Sequence, residues 1–290
     1  MLKADPIIKR APPRPDAFQD ESVRSLVEFS LSEVDCGLPD WARRSHPIVR
    51  RHLGAYWKTF TPDMNAMLRL YGILTAAALL AFLIPIIYLM VIPTVTVTLV
   101  MLPLIGYVYV RILYKVGAFG VATMQSEQRG AALDVLRATP YTIREILLSK
   151  SAATIWRHVE DMALVATTTL ATSLPLLLVL YHAALRQLQL PFLTAVVVVV
   201  ALASVTIRIF LEAVMVTSIG IVAGASTPSR PAAVTTTVFI TIAYFVLING
   251  ARLLPIDVGW ILLIEIMLPL VLPIVITAVC LWTAAHLAAQ

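Results

Sequence analysis

From Pro191 to Ala225 the chain runs for 35 residues with only two charges, Arg208 and Glu212. About 20 apolar residues suffice to cross a bilayer as a helix. This run therefore demands a membrane and exceeds one upright span. A tilted or extended helix, or one that emerges into the cytoplasm, accommodates the excess. Further runs at Leu68–Ile92, Thr94–Tyr114, Met162–Tyr181, Ala232–Gly250 and Ile256 to Ala288 repeat the pattern. Hydrophobic residues make up 59% of the chain and charged ones 13%, against about 25% charged in soluble domains. Mean hydropathy is +0.87. A β-barrel shows short alternating segments instead of continuous runs. The expected fold is all-α: a polytopic membrane protein with about six transmembrane helices.

Orientation follows from where the basic residues fall. Of 22 Lys and Arg, 11 lie at or before Arg69 and seven between Arg111 and Arg157. Arg186, Arg208, Arg230 and Arg252 serve the remaining half. This is the positive-inside asymmetry, and it places both termini in the cytoplasm of a cell (inner) membrane protein. The basic residues flank spans and accompany no nucleic-acid-binding motif, which argues against nucleic acid as a partner. The first apolar run begins near Leu68, too far along for a cleavable signal peptide. Pro93 marks an expected outer turn between the first two spans. Pro255, Asp257, Gly259, Glu265, Pro269 and Pro273 interrupt the last run, leaving room for a short outer-leaflet helix before a final span from about Pro269.

Residues 1–44 read as a cytoplasmic extension. Its first 17 residues are proline-rich, and Val23, Leu26, Val27 and Leu31 recur at helical spacing in the stretch that follows. Residues 45–67 form the next segment. Val49, Leu53, Tyr56, Trp57 and Phe60 share one helical face, with Arg50, Arg51, His52 and Lys58 around the rest. Ser45 is the expected N-cap and Pro47 lies in the first turn. A basic, aromatic amphipathic helix beside a span lies along the inner membrane surface; the other reading packs it on a partner. Residues 68–290 hold the six spans.

Within those spans one polar island interrupts the apolar sequence, Met124 to Lys150. Glu127, Arg129, Asp134, Arg137, Arg144, Glu145 and Lys150 would each cost about 2.5–3.5 kcal/mol at mid-bilayer. The island is therefore expected in water. It reads as two helices parted at Thr139-Pro140, because proline disfavours the α conformation in the residue before it. Thr142 and Glu145 have capping-box spacing for the second helix, which is expected to run into the third span.

The order Glu127, Arg129-Gly130, Leu133, Asp134, Leu136, Thr139-Pro140, then Arg144-Glu145-Ile146-Leu147 and Lys150, resembles the ABC transporter type-2 permease family. Ala131 or Ala132 stands where that family has threonine, Asp134 replaces glutamate, and Ser149 replaces the glycine before Lys150. The stretch from His46-Pro47 to Arg50 is similar to the family's entry segment. The resemblance covers most of residues 45–290. It implies a coupling helix at 124–150 that docks on a separate P-loop ATPase subunit. Glu127 and Arg129 would make charge-assisted contacts there, and Leu133 and Leu136 would fill its groove. It also implies an exporter built from two permease subunits, homo- or heterodimeric, and two ATPase subunits. This chain contains no G-x-x-x-x-G-K-[ST] and no Gly-Lys pair, so ATP and Mg would belong to the partner and the chain itself is not expected to be an enzyme. The alternative is a non-transporting anchor or scaffold subunit using the same island.

Arg208 and Glu212 stand at i, i+4 on one helical face. They read either as an intrahelical pair or subunit contact, or as part of a translocation path. Glu265 either lines an exit or faces water. Arg157, His158, Glu160 and Asp161 read as an anchor at the inner interface, the alternative being a proton relay. The five histidines show no ligand spacing, and Cys36 and Cys280 lie far apart, so no metal site is expected.

Overall fold

The computed structural model describes residues 37–54, 63–129, 141–185, 191–251 and 263–289. The helices below belong to the second of two compact units, Met1–Leu38 and Pro39–Gln290. The expected helix from Phe18 to Val34 lies outside the described residues. So do Tyr56, Trp57 and Phe60. A single 3-10 turn at Asp40–Ala42 precedes the short helix α1 (Pro47–Leu53). Then follow α2 (Met64–Leu83), α3 (Pro85–Arg129), α4 (Ile143–Arg157), α5 (Val159–Leu185), α6 (Pro191–Ser226), α7 (Arg230–Ala251) and α8 (Leu268–Ala289). No strand occurs among the described residues. Among the described residues six helices are long and apolar enough to cross a membrane: α2, α3, α5, α6, α7 and α8 with its preceding π-helical segment Leu263–Met267.

Local chemistry sets the boundaries. Asp63 caps α2, its carboxylate accepting from the backbone N–H groups of Asn65 and Ala66 at 2.9 and 3.2 Å. The turn between the first two spans falls at Ile84, which is extended (φ −122°, ψ 101°). Pro85 forces this on the residue before it and then begins α3. The expected turn at Pro93 is therefore corrected: Pro93 and Pro103 both lie inside α3. Neighbouring helices tolerate such prolines inside a membrane bundle. Another correction concerns the third span. The island's second helix does not run on into it, because His158 (φ −116°, ψ 11°) separates α4 from α5.

The 45 residues of α3 amount to about 67 Å of helix, more than twice a hydrocarbon core of about 30 Å. Its large exposed apolar side chains extend from Ile86 to Tyr114 and cease there. Residues 115–129 continue for about 22 Å beyond that limit. The start of α7 behaves likewise, since its first large exposed apolar residue is Phe239. No large exposed apolar residue occurs on α4. The far ends of α3 and α6, the start of α7, and α4 thus form a helical extension beyond the belt on those helices, while α8, whose Leu281 and Ala284 pack with Met124, still exposes Trp282 and Leu287 at that level.

α6 is the central helix and packs on α2, α3, α5, α7 and α8. Its approach to α3 is nearly backbone to backbone. A Cβ on Gly220 would lie 2.5 Å from the Gly117 carbonyl oxygen, and one on Gly120 would lie 2.8 Å from that of Thr217. Gly220 and Gly224 have the spacing by which small residues let membrane helices meet. Around this crossing a core of Ile112, Val116, Met162, Met215, Ile219 and Ile248 closes the bundle. A second core, including Ala78, Leu170, Leu178, Val198 and Leu202, fills the opposite end.

Candidate functional site: two buried charge clusters

The first cluster stands at the tip of the extension. Glu127, near the end of α3, is 3% exposed, and Lys150 on α4 is 1% exposed. Their side chains form an ion pair. His52 of α1 approaches the other carboxylate oxygen, Nε2 to Oε1 at 3.0 Å. Lys150 Nζ also faces Met124 Sδ at 3.7 Å. Burial pushes the Lys150 ammonium below its ordinary range, and the Glu127 carboxylate opposes that shift. Three elements distant in sequence are thereby tied at one point.

This corrects the expectation that every island charge stands in water. Arg144 and Glu145 are exposed as expected, but Glu127 and Lys150 neutralise each other inside the protein. The Glu127 carboxylate is enclosed by this chain's own residues. Arg129 ends α3. Gly130, Leu133, Asp134, Leu136, Thr139 and Pro140 lie outside the described residues.

The start of α4 is built as its sequence indicates. The Thr142 hydroxyl accepts from the Glu145 N–H at 3.2 Å, and the Glu145 carboxylate accepts from the Thr142 N–H at 2.9 Å. That backbone donor, followed by the Thr142 hydroxyl, holds the Glu145 carboxyl below its usual range. The α1 region then covers α4. Ile48, Val49 and Leu53 are buried, and α1 packs on α4. His46, not Ser45, occupies the N-cap position, without a side-chain cap bond. Its ring meets Tyr141 edge-on at 4.9 Å, and its Nδ1 lies 3.4 Å from Ser149 Oγ. At the other end of α4, Trp156 Nε1 donates to the Ala42 carbonyl at 2.8 Å, while the Arg44 guanidinium stacks over the indole at 4.8 Å. The face expected on the membrane surface is, for Val49 and Leu53, a protein-packing face.

A second cluster lies within the lipid-facing belt. Glu212 on α6 is 1% exposed. Arg208 Nε donates to its Oε1 at 2.5 Å. Tyr244 of α7 donates to the same oxygen at 2.7 Å, and the Tyr109 hydroxyl of α3 donates to Oε2. Tyr109 lies five residues inside Tyr114 and Tyr244 five beyond Phe239, about 7 Å past each limit of the apolar belt. One cation and one anion cancel there, and two phenols complete the carboxylate's partners. Of the open readings, the geometry displays the intrahelical pair, enlarged to a three-helix network. The i, i+4 spacing marked Arg208 and Glu212. Nothing in the sequence marked Tyr109 and Tyr244, which reach the site from other helices.

Glu265, in the π-helical segment, is half-buried and accepts from the Tyr181 hydroxyl at 2.9 Å. It does not simply face water. At the belt's other edge Lys115 pairs with Asp161 at 3.7 Å, and Arg157 lies 4.4 Å over the Phe119 ring. Among the described residues, no group of three or more His, Cys, Asp or Glu side chains could hold a metal ion. No protein-family model matches the chain, and neither a curated protein nor a solved structure matches it.

Proposed function

We propose that this chain is the membrane-spanning permease subunit of an ATP-binding cassette exporter. It would work with P-loop ATPase subunits and a second permease subunit, ATP and Mg being bound by the ATPases. The observation that carries the reading is the residue order from Glu127 to Lys150, placed between the second and third spans. Two structural features support it. Glu127, with Lys150 paired to it, stands about 20 Å along α3 beyond Tyr114, within reach of a soluble partner. The ends of that segment are also fixed to one another through Glu127 and Lys150 and covered by α1.

In this reading residues 130–140 make the direct contact with the ATPase, and Glu127 positions that segment's base. Closure of the nucleotide-loaded ATPases displaces the segment. The continuous α3 carries the movement toward Tyr109, and from there to the Glu212 network on α6 and α7. ATP then favours whichever arrangement the closed ATPases grip more tightly. The basic end faces the cytoplasm, and the substrate moves outward.

The test is to purify the full chain from its native membrane and identify what remains bound. A stoichiometric P-loop ATPase, whose hydrolysis rate falls when residues 130–140 are replaced by a glycine-serine linker of equal length, is the expected result. A stable complex containing no ATPase would overturn the transporter and support the anchor.

A further inference from the structure

Between α3 and α7 lies a groove of about 460 Å³. One wall runs from Val110 to Ala118, the other from Val234 to Asn249, and Val216 of α6 contributes to its lining. It opens toward the lipid, since the lining residues Tyr114 and Val246 are 55% and 65% exposed. Its polar residues turn their polarity inward. The hydroxyls of Thr237 and Thr241 donate to the carbonyls of Ala233 and Thr237 at 2.8 and 2.7 Å. The Asn249 amide nitrogen donates to Phe245 O at 2.8 Å. The threonines are thus left to offer mainly methyl groups to the groove.

The α7 wall covers 15 residue steps, about 22 Å. One leaflet's hydrocarbon is about 15 Å deep, half of a bilayer core. The groove therefore accommodates an acyl chain of one leaflet and continues past the Tyr114–Phe239 limit of the apolar belt toward the headgroups. At that end the chemistry changes sign. Arg230, exposed at the first residue of α7, precedes Val234 by four residues. It therefore stands one turn below Val234 on the same face of α7, just past the residues that line the groove. An apolar slot of acyl length with an arginine one helical turn beyond its end is complementary to one class of molecule. Basic sites between transmembrane helices at the membrane surface bind anionic lipid headgroups.

We propose that the α3–α7 groove is a site for one anionic phospholipid from the leaflet at the Arg230 end, its acyl chain between the helices and its phosphate at Arg230. This inference does not depend on an ATPase partner. The full chain would be delipidated in detergent, then mixed with equal amounts of palmitoyl-oleoyl phosphatidylglycerol and phosphatidylcholine and examined by native mass spectrometry. Preferential retention of one phosphatidylglycerol is expected. Arg230→Gln should reduce that preference about fivefold, the loss of one basic residue near an anionic surface. Ala118→Phe should fill the groove and abolish retention of either lipid, with unfolding temperature as the check on folding. Val238→Trp fills it from the other wall should Ala118→Phe fail to fold. Equal retention of the two lipids would overturn the proposal. So would unchanged preference in Arg230→Gln, or a second protein copy occupying the groove.

Discussion

Lys150 and Glu212 pose the same physical problem with different partners. A buried ion contributes to the fold only while its counter-charge stays in place, so deleting one member of a buried pair costs about 3–5 kcal/mol while replacing both by apolar residues is often nearly neutral. Lys150→Met should therefore destabilise by about that amount, because Glu127 remains inside with His52 alone. Lys150→Met combined with Glu127→Met should recover most of the loss. Thermal unfolding in detergent measures both, and an additive double variant would show that the two side chains do not act as a pair. At Glu212 the order of effects is the test. Tyr244→Phe removes one interhelical hydrogen bond, worth about 0.6 kcal/mol on average between membrane helices. Glu212→Ala strands the Arg208 guanidinium and should cost several times more. Equal losses would mean that the carboxylate is not the hub. The sequence exposed these residues unevenly. Arg208 and Glu212 were legible because four residues on one helix make neighbours. His52 meets Glu127 across 75 positions, and no local spacing encodes such a contact.

Elements were legible where a signal is local and misread where two local signals compete. Thr142 and Glu145 specify the start of α4 from within four residues. Thr142→Ala should lower stability by about 1 kcal/mol. The Glu145 carboxyl titrates below its usual range, so its contribution is complete above the ordinary carboxylate value. That contribution is lost as pH falls through the lowered one. Hydrogen-exchange protection of the first α4 amides should therefore drop in acid in the native chain and stay flatter in Glu145→Gln, whose amide still serves the capping box. A protection profile identical in both would remove Glu145 from the cap. At the turn between the first two spans, Pro85 and Pro93 are rival breakers. Thr98, five residues after Pro93, donates to the Thr172 carbonyl at 2.8 Å and serves packing against α5. The α3–α6 crossing gives a further test. Gly220→Ala sets a methyl group against the Gly117 carbonyl and should force the helices apart, lowering folded yield. Gly106→Ala on the same α3, where a Cβ meets nothing within 4 Å, should be neutral or slightly stabilising. Equal effects would dissolve the argument from close approach.

At the scale of the whole molecule, six spans were legible because only long apolar helices satisfy their backbone in lipid. The point where lipid gives way to water was not. Val116, Val121 and Met124 are as apolar as any lipid-facing residue, but they are buried by α4, α6, α7 and α8. Hydropathy cannot distinguish a protein neighbour from a lipid one. Exposed side chains can on α3 and α7, where the limit falls just after Tyr114 and between Thr235 and Phe239, while α8 keeps Trp282 and Leu287 exposed beyond it. Single cysteines in a cysteine-free background test this directly. Thr235→Cys and Ser126→Cys should react rapidly with a water-soluble maleimide, whereas Phe239→Cys and Val110→Cys should be nearly inert. On α7 the change falls within four residues, about 6 Å. On the proposed orientation, with the basic end inward, an impermeant reagent applied to intact cells should label Thr235→Cys and Ser126→Cys only after permeabilisation. Labelling from outside would invert the orientation and remove any cytoplasmic ATPase from reach. Inert cysteines at both positions would instead return the extension to the lipid and leave Glu127 and Lys150 as an intramembrane pair.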